Sequence, residues 1–478
     1  MRGTLSIFSP KFAKVIVYML QSTEYQVAPY LRWFWRTVNF GQVMKRRELE
    51  YTKVARLVLL ALRCGIAVQI ILGLMMLCLG LARGVNGAWP LGAALIISYP
   101  VVWAHLIVIP LVLGDWLVIR PKNRKLIEQS RHIFANHPGI KIAVAGSYGK
   151  TTMKELLGTV LGEGKKVAIT PANKNVASSH ARFAMGLDGD EDVLVVEFGE
   201  GRPGDVAGFS KTVQPNVGVI TGIAPAHLDQ YPSLDAAAQD IFSLADYLHD
   251  DNVYVNAESS TAQKFLKDTH ILYSHGGVGE WKVSDIHVDF AGTRFRMTKK
   301  GKSLQLKSGL LGRHQVGPLA AVVAIADSVG LNAKQIEEGV AKTKSFEHRM
   351  HARSLRGAWI IDDSYNGNID GIRAGLALLS ELPAKRKIYV TPGLVDQGVE
   401  TERVHREMGE LIARTNPDKV VLMKNSVTAH ILRGLESKGF KKEVVIEDNP
   451  LEYYTNLEHF IAAGDVVLMQ NDWTDNYQ

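Results

Sequence analysis

Residues 146–152 read Gly-Ser-Tyr-Gly-Lys-Thr-Thr, preceded by the apolar run KIAVA and followed by the amphipathic stretch MKELLGTVLGEG. Glycines at a strand-to-helix turn let several backbone N–H groups converge on an anion at the positive end of the helix. Lys150 can then reach the β- and γ-phosphates of a nucleotide, and the Thr151 hydroxyl can bind Mg2+. The spacing departs from the common phosphate loop, which needs Gly at 144 where Val144 stands. The bland alternative is a plain strand-to-helix turn, against which G-K-T-T at this junction weighs strongly. A second chemical residue is Glu197, which closes the apolar run VLVV. An acidic residue at the C-terminal end of a strand is a common ligand position in α/β sheets.

The elements that must position these residues follow from periodicity. Short apolar runs alternate with helical patterns over 140–345 and again over 357–470, which argues a parallel sheet with helices on both faces. Residues 280–308 alternate polar and apolar and turn at glycine, so they read as a hairpin-rich insertion.

The first third of the chain is different. Residues 57–82 carry one charge, Arg63, and residues 88–114 carry no Asp, Glu, Lys or Arg. About 20 apolar residues span a bilayer, so both runs are long enough, and the short RGVNG link makes them a helical hairpin. The duller reading is a buried helix pair in a soluble core. Lys45, Arg46, Arg47, Lys53 and Arg56 precede the hairpin, and Arg120, Lys122, Arg124 and Lys125 follow it. The link offers only Arg83, so the positive-inside rule places both ends in the cytoplasm. The segment YLRWFWRTVNF (30–40) suits either an interfacial position or packing on the hairpin. The net charge of +7 is modest, and its visible clustering beside the apolar runs points to anionic lipid rather than nucleic acid. Two cysteines, Cys64 and Cys78, exclude a disulfide framework and a cysteine-rich metal site.

The loop GSYGKTT resembles the G-x-x-G-K-T-T loop of the Mur ligases, ATP-dependent enzymes that join amino acids or peptides to a cell-wall precursor. Other segments are similar in the family's order: TPANKN (170–175), VLVVEFGEGRPGDV (193–206), GVITGIAPAHLDQYPSLDAAAQDIF (218–242), VNAESS (255–260), GRHQVGPLAAVVAIA (312–326), EHRM (347–350) and DDSYNGN (362–368). The last looks most like the branch that adds D-alanyl-D-alanine, and TPGLVDQGVETERVHREMGELIA (391–413) continues that likeness. The resemblance covers roughly residues 135–470. It implies an α/β chain with an N-terminal membrane region (1–125), a P-loop-type central domain (135–345) and a Rossmann-like C-terminal domain (346–478).

The resemblance also implies the chemistry. ATP phosphorylates a substrate carboxylate, an amine attacks the acyl phosphate, and phosphate leaves. Gly146, Ser147, Tyr148, Gly149, Lys150, Thr151 and Thr152 would hold the nucleotide phosphates. Thr151, Glu197 and His227 would hold Mg2+, with His227 toward a second ion. Gln315 would approach the adenine, Arg349 the phosphates and Asp363 the ribose. Lys150, His227 and Arg349 would carry the catalysis. By residue type alone, His227 reads as a buried histidine, Arg349 as a linker charge and Asp363 as an Asx-turn residue.

Three departures qualify the likeness. The membrane hairpin stands where the family has a UDP-binding domain, so the acceptor can be UDP-linked or lipid-linked. The family's carbamylated lysine has no counterpart, since no lysine occurs between Lys211 and Lys264, and Asp240 is the carboxylate offered instead. Gln315 replaces an asparagine. The expected function is a membrane-anchored, ADP-forming ligase of wall-precursor synthesis that takes an amino-acid or dipeptide donor. A poly-γ-glutamate or capsule-polymer ligase and a nucleotide-holding scaffold are the alternatives.

Overall fold

A computed structural model describes residues 4–37, 39–41, 43, 49–172, 174–224, 231–365, 367–395 and 397–471. The chain divides into two compact units at Arg124/Lys125.

In the first unit the two apolar runs are helices, Lys53–Arg83 and Ala88–Leu106, and the second path continues helically through Val108–Gly114. The Thr52 side chain accepts from Ala55 N and caps the first helix. The reversal between them rests on Gly84 and Gly87, with φ of +61° and +80°. Both angles lie in the left-handed region that a side chain disfavours. The helices pack through small residues: a Cβ on Gly92 would lie 2.6 Å from the Gly73 carbonyl oxygen. Gln69 satisfies its amide inside the pair by donating to the Leu95 carbonyl at 2.9 Å. Leu57, Leu60, Val68, Ile71, Leu74 and Met75 are exposed, so the outer surface of the pair is apolar. Among the described residues, two helices are thus long and apolar enough to cross a membrane.

The segment around residue 30 packs on the hairpin. It forms the helix Val27–Arg36, buries Tyr30 and Phe34, and donates the Tyr30 hydroxyl to the Ala104 carbonyl at 2.8 Å. Trp35 remains exposed beside Arg36.

The second unit holds two sheets. The first contains β1 (Ile140–Ala145), β2 (Val167–Ile169), β3 (Val193–Glu197), β4 (Val217–Ile220), β5 (Val253–Asn256), β6 (Ile271–Ser274), β7 (Gly277–Val278), β8 (Trp281–Asp289), β9 (Gly292–Lys299) and β10 (Lys302–Ser308). Their order is β10-β9-β8-β7-β6-β5-β4-β1-β3-β2. The pairs from β2 to β6 are parallel and those from β6 to β10 antiparallel. The expected insertion is therefore an antiparallel extension of the same sheet. Strands β1 and β3 are buried almost throughout, which is why their sequences are near-continuous Val, Ile, Leu and Ala.

The second sheet contains β11 (His351–Leu355), β12 (Ala358–Asp363), β13 (Arg386–Thr391), β14 (Lys419–Met423), β15 (Glu443–Glu447) and β16 (Asp465–Gln470), in the order β11-β12-β16-β13-β14-β15. Only β11 runs antiparallel to its neighbour. The two sheets meet through β8 and the turn after it. Phe290 stacks on Trp359 with ring centroids 4.6 Å apart, and Arg313 pairs with Glu381 at 2.9 Å.

Candidate active site

Strand β1 lies between β3 and β4, and successive strands run outward from it in opposite directions. Loops diverge at such a switch point and leave a crevice at the strands' carboxyl ends. Residues 146–152 leave β1 there, Glu197 ends β3, and Thr221 follows β4.

The loop has a fixed shape. Ser147 N donates to the Gly222 carbonyl at 2.7 Å, and the Thr221 hydroxyl bonds the Tyr148 carbonyl. Gly146 has φ of +141°, and a Cβ there would lie 2.3 Å from Thr221 Oγ1. Gly149, at φ +77°, precedes the helix Lys150–Leu161, whose first N–H groups open toward the crevice.

Two polar pairs join the start of this helix to the segment leaving β3. Thr151 Oγ1 donates to Glu197 Oε1 at 3.2 Å, and Lys150 Nζ pairs with Glu200 Oε2 at 2.7 Å. Lys150 Nζ also donates to the Gly146 carbonyl at 2.5 Å. Asn175 Nδ2 donates to Glu197 Oε1 at 3.1 Å, while Glu197 Oε2 is buried without a hydrogen bond among the described residues. A hydroxyl and a carboxylate with a bare buried oxygen are hard oxygen donors of the kind Mg2+ takes, so these residues fit that ion. On these contacts the crevice can hold a phosphate chain with a divalent cation beside it.

The C-terminal part of this unit completes the walls. A cavity of about 640 Å³ is lined by Tyr148, Gly149 and Thr152 on one side and by Arg349, Asp363 and Asn368 on the other. Gln315 lines it too, and its Nε2 donates to His314 Nε2 at 2.8 Å. The Arg349 guanidinium stands 4.6 Å from the centre of the Tyr365 ring. The Tyr148 hydroxyl crosses the cavity wall to Asp370 Oδ2 at 3.3 Å.

Asp363 is half-buried in this wall, and its oxygens accept from Met350 N at 3.2 Å and Gln470 Nε2 at 2.8 Å. The Asx turn in DDSYNGN belongs to its neighbour: Asp362 Oδ1 accepts from Ser364 N. Burial pushes the Asp363 carboxyl up to about 6, against the pull of Gln470, Met350 N and Arg349. A folded-state value above the unfolded one means that its stabilising contribution is full below about pH 4 and lost as pH rises through about 6. Relative to Asp363→Asn, the wild-type protein should therefore lose stability between about pH 4 and 6 and run parallel above that window. Denaturant unfolding of both proteins across this range measures it, and a constant difference would contradict the burial effect.

The loop residues 146–152 and Glu197 therefore converge, and Arg349, Asp363 and Gln315 share one cavity with Tyr148, Gly149 and Thr152. His227 lies outside the described residues. Asp240, offered for the absent lysine, is occupied elsewhere: its oxygens accept from Gly204 N and the Tyr231 hydroxyl, both at 2.8 Å. Two residues were missed. Lys154 is fully buried and donates to the carbonyls of Thr170 at 2.8 Å and Ala172 at 2.5 Å, with Glu197 Oε2 3.7 Å away. Its signal was a lysine one turn after Lys150. Glu200 had the weaker signal of a second acidic residue just after Glu197.

Residues 144–326 match the Mur ligase middle domain, and residues 348–470 match the Mur ligase glutamate ligase domain. Together these matches take in well over half of the chain. The chain belongs to the Mur ligase family. This Mur ligase is similar to the UDP-N-acetylmuramoyl-tripeptide–D-alanyl-D-alanine ligase of Escherichia coli K12, with 26% identity over 315 residues, 64% of this chain and 69% of that protein. The ligase of the same name from Mycobacterium leprae is 25% identical over 362 residues, 69% of this chain and 70% of the other. Among solved structures, a MurF ligase from Thermotoga maritima in complex with ADP superposes with a TM-score of 0.64 at 22% identity, over 73% of this chain and 80% of that one. This likeness shows the shared fold. Like these relatives, the Mur ligase described here is an ADP-forming ligase.

Proposed function

We propose that this protein is a MurF-type, ATP-dependent amide-bond ligase of peptidoglycan-precursor synthesis, tethered to a membrane by its N-terminal hairpin. The observation that carries the reading is the convergence of Lys150, Thr151 and Glu197 at the sheet's switch point, next to a cavity that Tyr148, Gly149 and Thr152 of the same loop share with Arg349 and Asp363.

A carboxylate is a poor electrophile, so amide formation begins by transferring the γ-phosphoryl group of ATP to it. The N–H groups from Gly146 to Thr152 and the Lys150 ammonium bind the phosphates and stabilise charge that develops in the transfer. Thr151 and Glu197 would hold Mg2+, which would supply Lewis-acid neutralisation of the transferring group. Arg349 adds positive charge from the second sheet, Asp363 accepts from the ribose, and Gln315 takes the adenine. The wall joined by Tyr148 and Asp370 keeps water from the acyl phosphate until the amine attacks. His227 is proposed to assist at the carboxylate.

The proposed acceptor is a muramoyl peptide and the donor D-alanyl-D-alanine, as the names of the relatives state for those proteins. The residues ahead of 135 form the hairpin region, so a lipid-linked acceptor competes with a UDP-linked one. The apolar outer surface of the helix pair and the basic residues flanking it support a membrane position with the ligase part in the cytoplasm. The polymer-ligase and scaffold alternatives are not favoured, because the similar curated proteins are wall-peptide ligases.

Phosphate release from MgATP by the detergent-purified chain tests this, with UDP-linked and lipid-linked muramoyl tripeptides offered separately. Release that needs both an acceptor and D-alanyl-D-alanine is the expected result. No release with either acceptor would overturn the assignment.

A further inference from the structure

Among the described residues, the buried Glu200 carboxylate has one partner and one bare oxygen. Only 4% of its side chain is exposed; Oε2 pairs with Lys150 at 2.7 Å, and Oε1 has no hydrogen bond. Its surroundings are acidic. Burial, with the negative charges of Asp240, Glu200 and Asp205, holds the Tyr231 hydroxyl protonated far above its usual range. Among the described residues, the one cation paired with Glu200 is Lys150, the ammonium that nucleotide phosphates must recruit.

Both demands on Lys150 cannot be met equally. When the phosphates draw the ammonium toward them, the Glu200 carboxylate is left buried and unpaired. A buried anion without a partner costs several kcal/mol, which a cation repays. A lysine cannot repay it: Lys154 is engaged with the Thr170 and Ala172 carbonyls and lies toward Glu197. A divalent cation arriving with the phosphates can, because it takes carboxylate, hydroxyl and phosphate oxygens together. Glu197 and Glu200, each with a bare buried oxygen, stand three residues apart on the same strand exit.

We propose that Glu200 is a ligand for a second divalent cation that binds with the nucleotide, and that Lys150 occupies this carboxylate until phosphate displaces it. The proposal rests on the MgATP reading above. In the free protein the Lys150–Glu200 pair keeps the loop's charge neutralised. In the nucleotide complex Glu200 exchanges an ammonium for a metal ion, so cation binding and nucleotide binding reinforce each other. The carboxylate does the work expected of the absent carbamylated lysine, and Asp240, with both oxygens engaged, does not.

Counting Mn2+ by electron paramagnetic resonance tests this on the full chain in detergent, with and without a non-hydrolysable ATP analogue. The wild-type protein should hold two Mn2+ per chain when the analogue is bound. Glu200→Gln should hold one, with the second at least about tenfold weaker, and Glu200→Asp should restore the second. Thermal melting of the variants confirms that they fold. Two equally tight Mn2+ in Glu200→Gln would overturn the proposal, as would a single Mn2+ in the wild type. Analogue bound by the wild type with no Mn2+ at all would overturn the MgATP reading itself.

Discussion

Replacing Lys150 with alanine is expected to lower ATP turnover by about a thousandfold or more, at saturating nucleotide. Donors aimed at developing negative charge in a water-poor site are each worth about 10² to 10³ in rate, and cationic ones in phosphoryl transfer up to about 10⁵. Lys150 qualifies on placement, being 9% exposed at the first turn of the helix that follows the loop. In the free protein its Nζ is held at the loop by the Gly146 carbonyl and Glu200, from which nucleotide phosphates would recruit it. Arginine should not rescue the activity, because a planar guanidinium does not fit the space between that carbonyl and that carboxylate. Phosphate release measures the effect, with nucleotide binding followed separately. Activity within tenfold of the wild type would remove Lys150 from the chemistry.

The second large effect is on stability. Lys154→Met should destabilise the protein by about 3–5 kcal/mol, the usual cost of breaking a buried charge pair by removing one partner. Methionine matches the length of the lysine stem but donates nothing. The carbonyls of Thr170 and Ala172 lose their donor, and Glu197 Oε2 loses its nearest cation. Buried acceptors without partners add their own penalty. Because Glu197 then lacks its nearest cation, added Mg2+ should raise the melting temperature of the variant more than that of the wild type. Thermal unfolding with and without Mg2+ measures both statements. A loss below about 1 kcal/mol would show that the lysine is not paired as described.

How much of this was legible in the chain differs from residue to residue. The loop 146–152 was readable because its function is local: seven consecutive residues set the turn, the helix start and the position of Lys150 and Thr151. Glu197 was readable for a similar reason, as the last residue of a fully apolar strand. The helix pair followed from length and composition, since two long apolar runs joined by a short glycine-bearing link read as two helices. The placement of the 30–40 segment did not. An amphipathic helix offers the same face to a membrane surface or to a neighbour, and only the Tyr30–Ala104 bond decides for the neighbour.

Lys154 was hidden by type. A lysine in an amphipathic helix ordinarily marks the solvent side, and only the loop at Thr170–Ala172 folding over it makes burial affordable. Asp363 was named through the resemblance, while its residue type suited an Asx turn equally; the structure gives the turn to Asp362 and the cavity wall to Asp363.

The sequence by itself determined the apolar hairpin, the alternation of strands and helices, and the glycine loop 146–152 with Glu197 at a strand end. Each of these depends on neighbours within a few residues or on a simple period. Only the tertiary structure decided which charges meet. Lys150 and Glu200 are 50 residues apart, Tyr148 and Asp370 are 222 apart, and Asp363 joins Gln470 across 107. Pairs so distant are brought together by strand order at the switch point and by the contact between the two sheets. Periodicity along the chain carries no record of either, because burial patterns fix which face of an element is inward but not which partner waits there.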